Sequence, residues 1–145
     1  MGKLIVRVPA TSSDVGSGIN SLGLAFQLYA TIIVEEGTRK WRVNHALSGN
    51  VPHDANNLIV QTILRVNPQI APHQLTVMSD IPTARGLGSS TAAIVAGIKI
   101  ANVLGQMHLS LNDQIDLGSQ ITSHPACLSA AILGGLTTSE FNGKH

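Results

Sequence analysis

The order of hydrophobic patterns predicts an α+β fold, a mixed sheet packed against helices. Three observations carry that reading. Short β-branched runs occupy the first fifty residues. Segments with helical periodicity follow, interleaved with two further strand-like runs. Between Leu75 and Val95 a strand, a glycine-rich turn and a long apolar helix follow one another without a break.

Lys3–Val8 is short and β-branched, a strand that Pro9 should end. Residues 10–23 are rich in hydroxyls and turn formers and read as a loop. Leu24–Glu35 has strand character, strongest over Tyr29–Val34, and Trp41–Leu47 alternates. The Gly37 turn between them predicts a hairpin. Asn56 or Asn57 is placed to cap a helix running to Val66, with Leu58, Ile59, Ile63 and Val66 on one face and Pro68 beyond its end. Leu75–Met78 is the next strand, closed by Pro82. The helix after the glycine turn runs to about Leu104, with Gly105 at its end. Its polar residues Lys99, Asn102 and Gln106 form one narrow stripe, so most of its surface should be buried. Ser110 and Asp113 have the spacing of a capping box for a helix carrying Leu111, Ile115 and Ile121. A small-residue segment, Ala126–Leu133, leads through Gly134-Gly135 to a last strand, Leu136–Phe141.

Composition narrows the function classes. The 145 residues suit a single domain with a real core, and only 12% are charged. With 3% aromatic residues, the core must be built from Ile, Val, Leu and Ala. A formal charge of +1 argues for neither a nucleic-acid nor an anionic-membrane partner by bulk attraction. No run is long enough to cross a membrane, and no signal peptide is visible. The lone cysteine, Cys127, excludes an internal disulfide and fits a reducing, cytoplasmic setting. It has no base partner in its own segment, which makes it a small core residue. The six histidines show no metal-ligand spacing: His45 and His53 lie in separate segments, and neither has a second ligand three or four residues away.

The turn Arg85-Gly-Leu-Gly-Ser-Ser-Thr91 has two readings. Gly86 and Gly88 permit unusual backbone angles, Ser89, Ser90 and Thr91 suit a helix start, and Arg85 adds positive charge. Such a turn points free N–H groups at an anion, a phosphate cradle. It is also what an ordinary strand-to-helix loop looks like. It is not a Walker loop, for no Gly-Lys-Ser/Thr follows at the right gap, and Thr91 occupies the third glycine of a dinucleotide fingerprint. The loop over residues 10–23 is likewise either a substrate loop or a solvated connection.

Two stretches together resemble a known family. Pro9-Ala-Thr-Ser-Ser-Asp-Val-Gly-Ser-Gly-Ile-Asn-Ser-Leu-Gly23 resembles the N-terminal motif of homoserine kinases. Ile81-Pro-Thr-Ala-Arg-Gly-Leu-Gly-Ser-Ser90 resembles the phosphate loop of the GHMP small-molecule kinase superfamily. Val51-Pro-His-Asp-Ala-Asn-Asn-Leu58 and the segment from His124-Pro125 to Gly134 fall in the matching order. The resemblance spans nearly the whole chain. It implies a GHMP-type N-terminal, ATP-binding domain with a left-handed βαβ unit, the C-terminal lobe being absent. It also implies ATP with Mg²⁺, and transfer of the γ-phosphoryl group to homoserine in threonine biosynthesis, chemistry that is mostly positioning and charge stabilisation. By resemblance, Arg85, Gly86, Leu87, Gly88, Ser89, Ser90 and Thr91 hold the triphosphate, Asn57 lies near the adenine, and Asp14 and Asn20 fall at homoserine-binding positions.

Three departures accompany it. The family has Asn at the position of Asp14 and Asp at that of Asn20, so a carboxylate has moved. The family's Glu-Gly-His-Pro-Asp-Asn reads Thr122-Ser-His-Pro-Ala-Cys127, which puts a hydroxyl where the magnesium-binding glutamate stands, a weaker ligand for a hard cation. The second lobe, with its substrate-binding arginines, has no counterpart here. No residue is therefore assigned a catalytic role and no metal site is assigned. The readings are a weakly active or inactive homoserine-kinase-like domain, a non-catalytic truncated or engineered scaffold, and a nucleotide-binding module without transfer. Surface exposed by a missing lobe predicts self-association into a homo-oligomer.

Overall fold

The computed structural model describes residues 3–12, 24–47, 50–81, 89–122 and 125–140. Among these residues five strands form one mixed sheet: β1 (Lys3–Ser12), β2 (Leu24–Gly37), β3 (Arg42–Asn44), β4 (His73–Ser79) and β5 (Leu136–Glu140), in the order β3-β4-β2-β1-β5. All neighbours are antiparallel except β3 and β4, which are parallel. The described residues also form four helices: α1 (Leu58–Val66), α2 (Ser89–Leu104), α3 (Leu111–Ile121) and α4 (Pro125–Gly134).

Alternation along β1 decides which face is covered. Leu4, Val6 and Val8 are buried, while Lys3 and Arg7 are exposed and Ile5 is half-buried. Ile32 and Val34 on β2 and Leu75 and Val77 on β4 join the buried face. α2 and α4 pack on β1 and β2, α1 packs on α2, and α3 packs on α2 and α4. On the open face the Arg7 guanidinium lies 4.3 Å above the Tyr29 ring, as diagonal neighbours on adjacent strands can.

Four expectations need correction. Pro9 does not end β1, which continues to Ser12 with a register shift between Pro9 and Thr11. Pairing with β5 stops at Arg7, so Pro9 sits where β1 has one partner strand, as a residue without an N–H requires. β2 and β3 are not a hairpin. β4 lies between them, because Gly37 pairs with His73 and Thr38 N–H donates to Pro72 O. The unit is therefore β3-α1-β4, two parallel strands joined through a helix. On α1, Leu58 is 39% exposed and Thr62 is buried in its place, its Oγ1 donating to Leu58 O. Finally, residues 125–134, read only as a small-residue segment, form α4, which buries Cys127, Leu128, Ala131 and Ile132.

The remaining boundaries follow local chemistry. Asn57 caps α1, and Ser110 with Asp113 forms both bonds of the capping box of α3. At the end of α2 the left-handed residue is Gln106 at φ 50°, one beyond Gly105. Among the described residues no helix is long and apolar enough to cross a membrane.

Candidate functional site

A cavity of about 320 Å³ opens between the start of α2, the start of α1 and the end of the sheet. Its floor comes from the sheet: Ala30 and Ile32 on β2, Val77 and Ser79 on β4, and Ile81 just beyond. One wall is the segment Asn50–Pro52 with Asn56–Ile59. The other is the first turn of α2, through Ser89, Ser90, Ala92 and Ala93. Among the described residues the lining is apolar apart from amides and hydroxyls and holds no charged side chain. Its size falls within the roughly 300–1,000 Å³ of ordinary small-molecule sites.

The wall formed by residues 50–57 is tied down by side chains. Asn57 is buried, its Oδ1 accepting from Ile59 N–H at 2.9 Å and its Nδ2 donating to Pro52 O at 2.9 Å. One amide thus caps α1 and anchors the loop before it. His45 and His53 hold the same loop against β3. His45 Nδ1 accepts from Leu47 N–H at 3.0 Å, so its Nε2 is the donor to Val51 O at 3.0 Å. His53 Nδ1 donates to Val43 O at 3.1 Å, and Val43 N–H donates to His53 O at 2.9 Å. The two rings stack at 3.9 Å, only 5° from parallel.

That stack corrects the view of His45 and His53 as unrelated. Seven residues separate them in the chain, yet both rings serve one loop. Among the described residues no three His, Cys, Asp or Glu side chains converge as a cation site. Cys127 is a free, buried thiol on α4.

Of the residues singled out in the sequence, Asn57, Ser89 and Ser90 meet around this one cavity. Ser89 is half-buried and Ser90 exposed, both in the first turn of α2. At a helix start, N–H groups without partners inside the helix and the helix dipole favour an anion. Thr91 is buried, and it is not on the cavity wall. Thr122 ends α3, its N–H donating to Gly118 O at 2.8 Å. Asp14, Asn20, Arg85, Gly86, Leu87 and Gly88 lie outside the described residues. The sheet-borne floor of Ala30, Ile32, Val77 and Ser79 was not legible, since strand residues facing a ligand look like strand residues facing a core.

Comparison with known proteins agrees with this geometry. Residues 57–135, more than half of the chain, match the GHMP kinases N terminal domain. A homoserine kinase from Bacillus cereus (strain AH820) is 42% identical over 142 residues, covering 98% of this chain and 48% of that protein. A second, from Bacillus cereus (strain G9842), is 44% identical over 141 residues, covering 97% of this chain and 48% of that protein. A solved Listeria monocytogenes structure, assigned as a homoserine kinase, superimposes with a TM-score of 0.84 at 42% identity, covering 87% of this chain and 46% of that one. A Staphylococcus aureus mevalonate kinase shares the fold at 16% identity and a TM-score of 0.63, over 96% of this chain and 55% of that one. The chain thus spans about half the length of the homoserine kinases it matches. With the cavity, the helix start beside it and the matched pattern in agreement, the chain belongs to the GHMP kinase family, of which it carries the N-terminal domain.

Proposed function

We propose that this chain binds ATP as a homoserine-kinase-type domain, with the purine in the apolar cavity and the phosphates at the start of α2. The observation that carries this is the continuity of one cavity from the Asn50–Pro52 wall to Ser89 and Ser90. An apolar slot whose described lining carries no charge suits a flat heterocycle, while a helix N-terminus with two hydroxyls suits its anionic tail. ATP fits the groups present. In this reading Asn57 is a positioning residue: both ends of its amide are spent on the protein, so it shapes the slot instead of reading the base. By the family resemblance, the Arg85–Gly88 turn would hold phosphate, and Asp14 and Asn20 would bind the acceptor alcohol.

Transfer to homoserine is slow or absent in this chain by itself. Bound Mg²⁺ would offset phosphate charge, yet Thr122 offers a neutral oxygen where the family's carboxylate stands. The test is ADP release with ATP, magnesium and homoserine, run beside calorimetric titration of ATP. Measurable ATP binding with little homoserine-dependent ADP release is expected. Absence of ATP binding would refute the nucleotide reading, and rapid homoserine-dependent release would refute inactivity.

A second reading is favoured by one observation. Leu133 and Leu136, at the junction of α4 and β5, are 64% and 60% exposed. Two large apolar side chains flanking a Gly-Gly turn at an edge strand suit association between copies of the chain. A homo-oligomer by light scattering, dissociated by Leu133→Lys with Leu136→Lys, is expected. A monodisperse monomer at high concentration counts against it.

A further inference from the structure

Leu47 and Val51 both line the cavity, and one side chain joins them. His45 Nδ1 accepts from Leu47 N–H at 3.0 Å, while its Nε2 donates to Val51 O at 3.0 Å and lies 3.3 Å from Pro52 O. An imidazole accepts at one nitrogen and donates from the other only when it is neutral. The geometry therefore holds His45 uncharged and in a single tautomer. A proton on Nδ1 would set two donors face to face, the ring N–H against Leu47 N–H. The ring must then turn away, and Val51 O loses its donor. Pro52 O keeps the Asn57 amide at 2.9 Å, so the disturbance centres on Leu47 and Val51.

His53 behaves differently. Its Nδ1 donates to Val43 O, so a proton added at Nε2 breaks none of its bonds. With both rings charged, a parallel stack at 3.9 Å would press like charges together. The surrounding segments supply no counter-charge, for among the described residues neither ring forms an ion pair. In the loop itself, Asp54 Oδ1 accepts from Asn56 N–H. Arg42 on β3 is exposed and shares the sign of a charged imidazole. On β4, His73 lies with its ring against Trp41 and its Nδ1 donating to Ala71 O. On α1, Arg65 donates to Gln120 O.

We propose that His45 is a proton-controlled latch on the cavity: neutral, it ties Leu47 to Val51 and keeps the wall in place; protonated, it lets the wall open. Histidine is the side chain that changes charge between about pH 5 and 8, which sets the working range. A ligand that needs the latch closed competes with one proton, so its affinity falls as pH falls, by at most about tenfold per pH unit. The effect on nucleotide rests on the nucleotide reading above, whereas the release of the wall does not.

The test follows the parent chain and His45→Gln from about pH 7.5 to pH 5.5. Glutamine offers an oxygen to Leu47 N–H and an N–H to Val51 O, and takes up no proton in this range. Ring-nitrogen NMR shifts report the charge on His45. Hydrogen exchange, corrected for intrinsic rates, reports protection of the Leu47 amide, and calorimetry reports ATP affinity. In the parent, Leu47 protection should fall about tenfold as His45 becomes charged, and ATP affinity about fivefold, while far-UV circular dichroism stays constant. In His45→Gln both changes should be lost; protonation of ATP itself is common to the two proteins and cancels between them. A Leu47 amide that stays protected beside a charged His45, or a His45 still neutral at the acid end, overturns the latch. So does the same pH dependence of protection in His45→Gln. Should that variant not fold, the parent's ring shifts and Leu47 protection decide alone. Loss of protection in a parent that binds no ATP at either pH keeps the latch and refutes the nucleotide reading.

Discussion

Lys99 Nζ on α2 donates to Gln114 Oε1 on α3 across 3.2 Å, and both residues are buried. No carboxylate accompanies them in that bond. Gln114 Nε2 donates in turn to Leu109 O at 3.4 Å. The polar stripe expected to face water along α2 thus begins inside the protein, where a lysine helps fasten α3 to α2.

Burial pulls the Lys99 pKa down from its ordinary 10.5. Between that lowered value and 10.5 the unfolded chain binds more protons than the folded one, so stability rises with pH across this interval and is flat below it. Lys99→Met should flatten the profile. By itself it leaves Gln114 Oε1 without a donor, a cost of about 1–3 kcal/mol. Lys99→Met with Gln114→Leu removes both polar groups and should be at least as stable as the parent at pH 7. Denaturant unfolding from pH 7 to pH 10.5 checks all three; a parent profile that falls with rising pH contradicts the assignment.

At Gly97 α2 lies close against α1. A Cβ built there would lie 2.6 Å from Thr62 Cβ and 2.9 Å from Ile59 O. Neither neighbour is the flexible end of a side chain, so the helices must move apart. Gly97→Ala should cost about 1–3 kcal/mol despite alanine's better helix propensity. Thr62→Ala in the same chain should recover part of that loss, whereas additive losses would show that the contact is not the cause.

The strands were largely readable because β-branched runs and alternation are local signals. Their partners were not: the short β3 pairs with β4 across an intervening helix, and no local pattern distinguishes that from a hairpin on Gly37. Asn57 and the Ser110–Asp113 box were legible because a cap is a matter of spacing. α4 was not, since Ala126–Leu133 is apolar or small throughout and carries no helical stripe. Exchange of Leu58 for Thr62 on the buried side of α1 has the same root as Gly97: the small partner on α2 decides which residue fits. Ser89 and Ser90 were readable as a helix start, but the cavity they face is assembled from four separate segments.

Asn57 allows its two bonds to be separated. Asn57→Asp keeps an oxygen for Ile59 N–H and loses the donor to Pro52 O, whereas Asn57→Ala loses both. Alanine should cost about 1–3 kcal/mol, aspartate less, because a carboxylate is itself a good N-cap. If the Pro52 bond sets the cavity wall, both variants should weaken nucleotide binding although only alanine melts much lower. Aspartate with parental affinity would show that the wall does not depend on that bond.

Gly88→Asp tests the phosphate turn directly. A carboxylate placed before Ser89 would repel an anion at the start of α2 and add a side chain where the family pattern has none. Any rise in melting temperature on adding ATP should vanish, while the unliganded protein keeps its fold as judged by circular dichroism. A rise equal to the parent's would move the phosphates away from α2.

Thr122→Glu restores the family's carboxylate at the end of α3. Thr122 is the C-terminal cap of that helix, with its N–H on Gly118 O. A negative charge at a helix C-terminus is unfavourable, so without ligand the variant should be less stable by about 0.3–1 kcal/mol. Magnesium with ATP should reverse the sign, because a hard cation gains a charged oxygen, and the magnesium dependence of ATP binding should steepen on the order of tenfold. These two readouts separate the explanations. Destabilisation that magnesium and ATP relieve places the end of α3 beside the phosphates, whereas destabilisation they leave untouched makes Thr122 a helix cap alone and removes the local geometry the kinase reading requires.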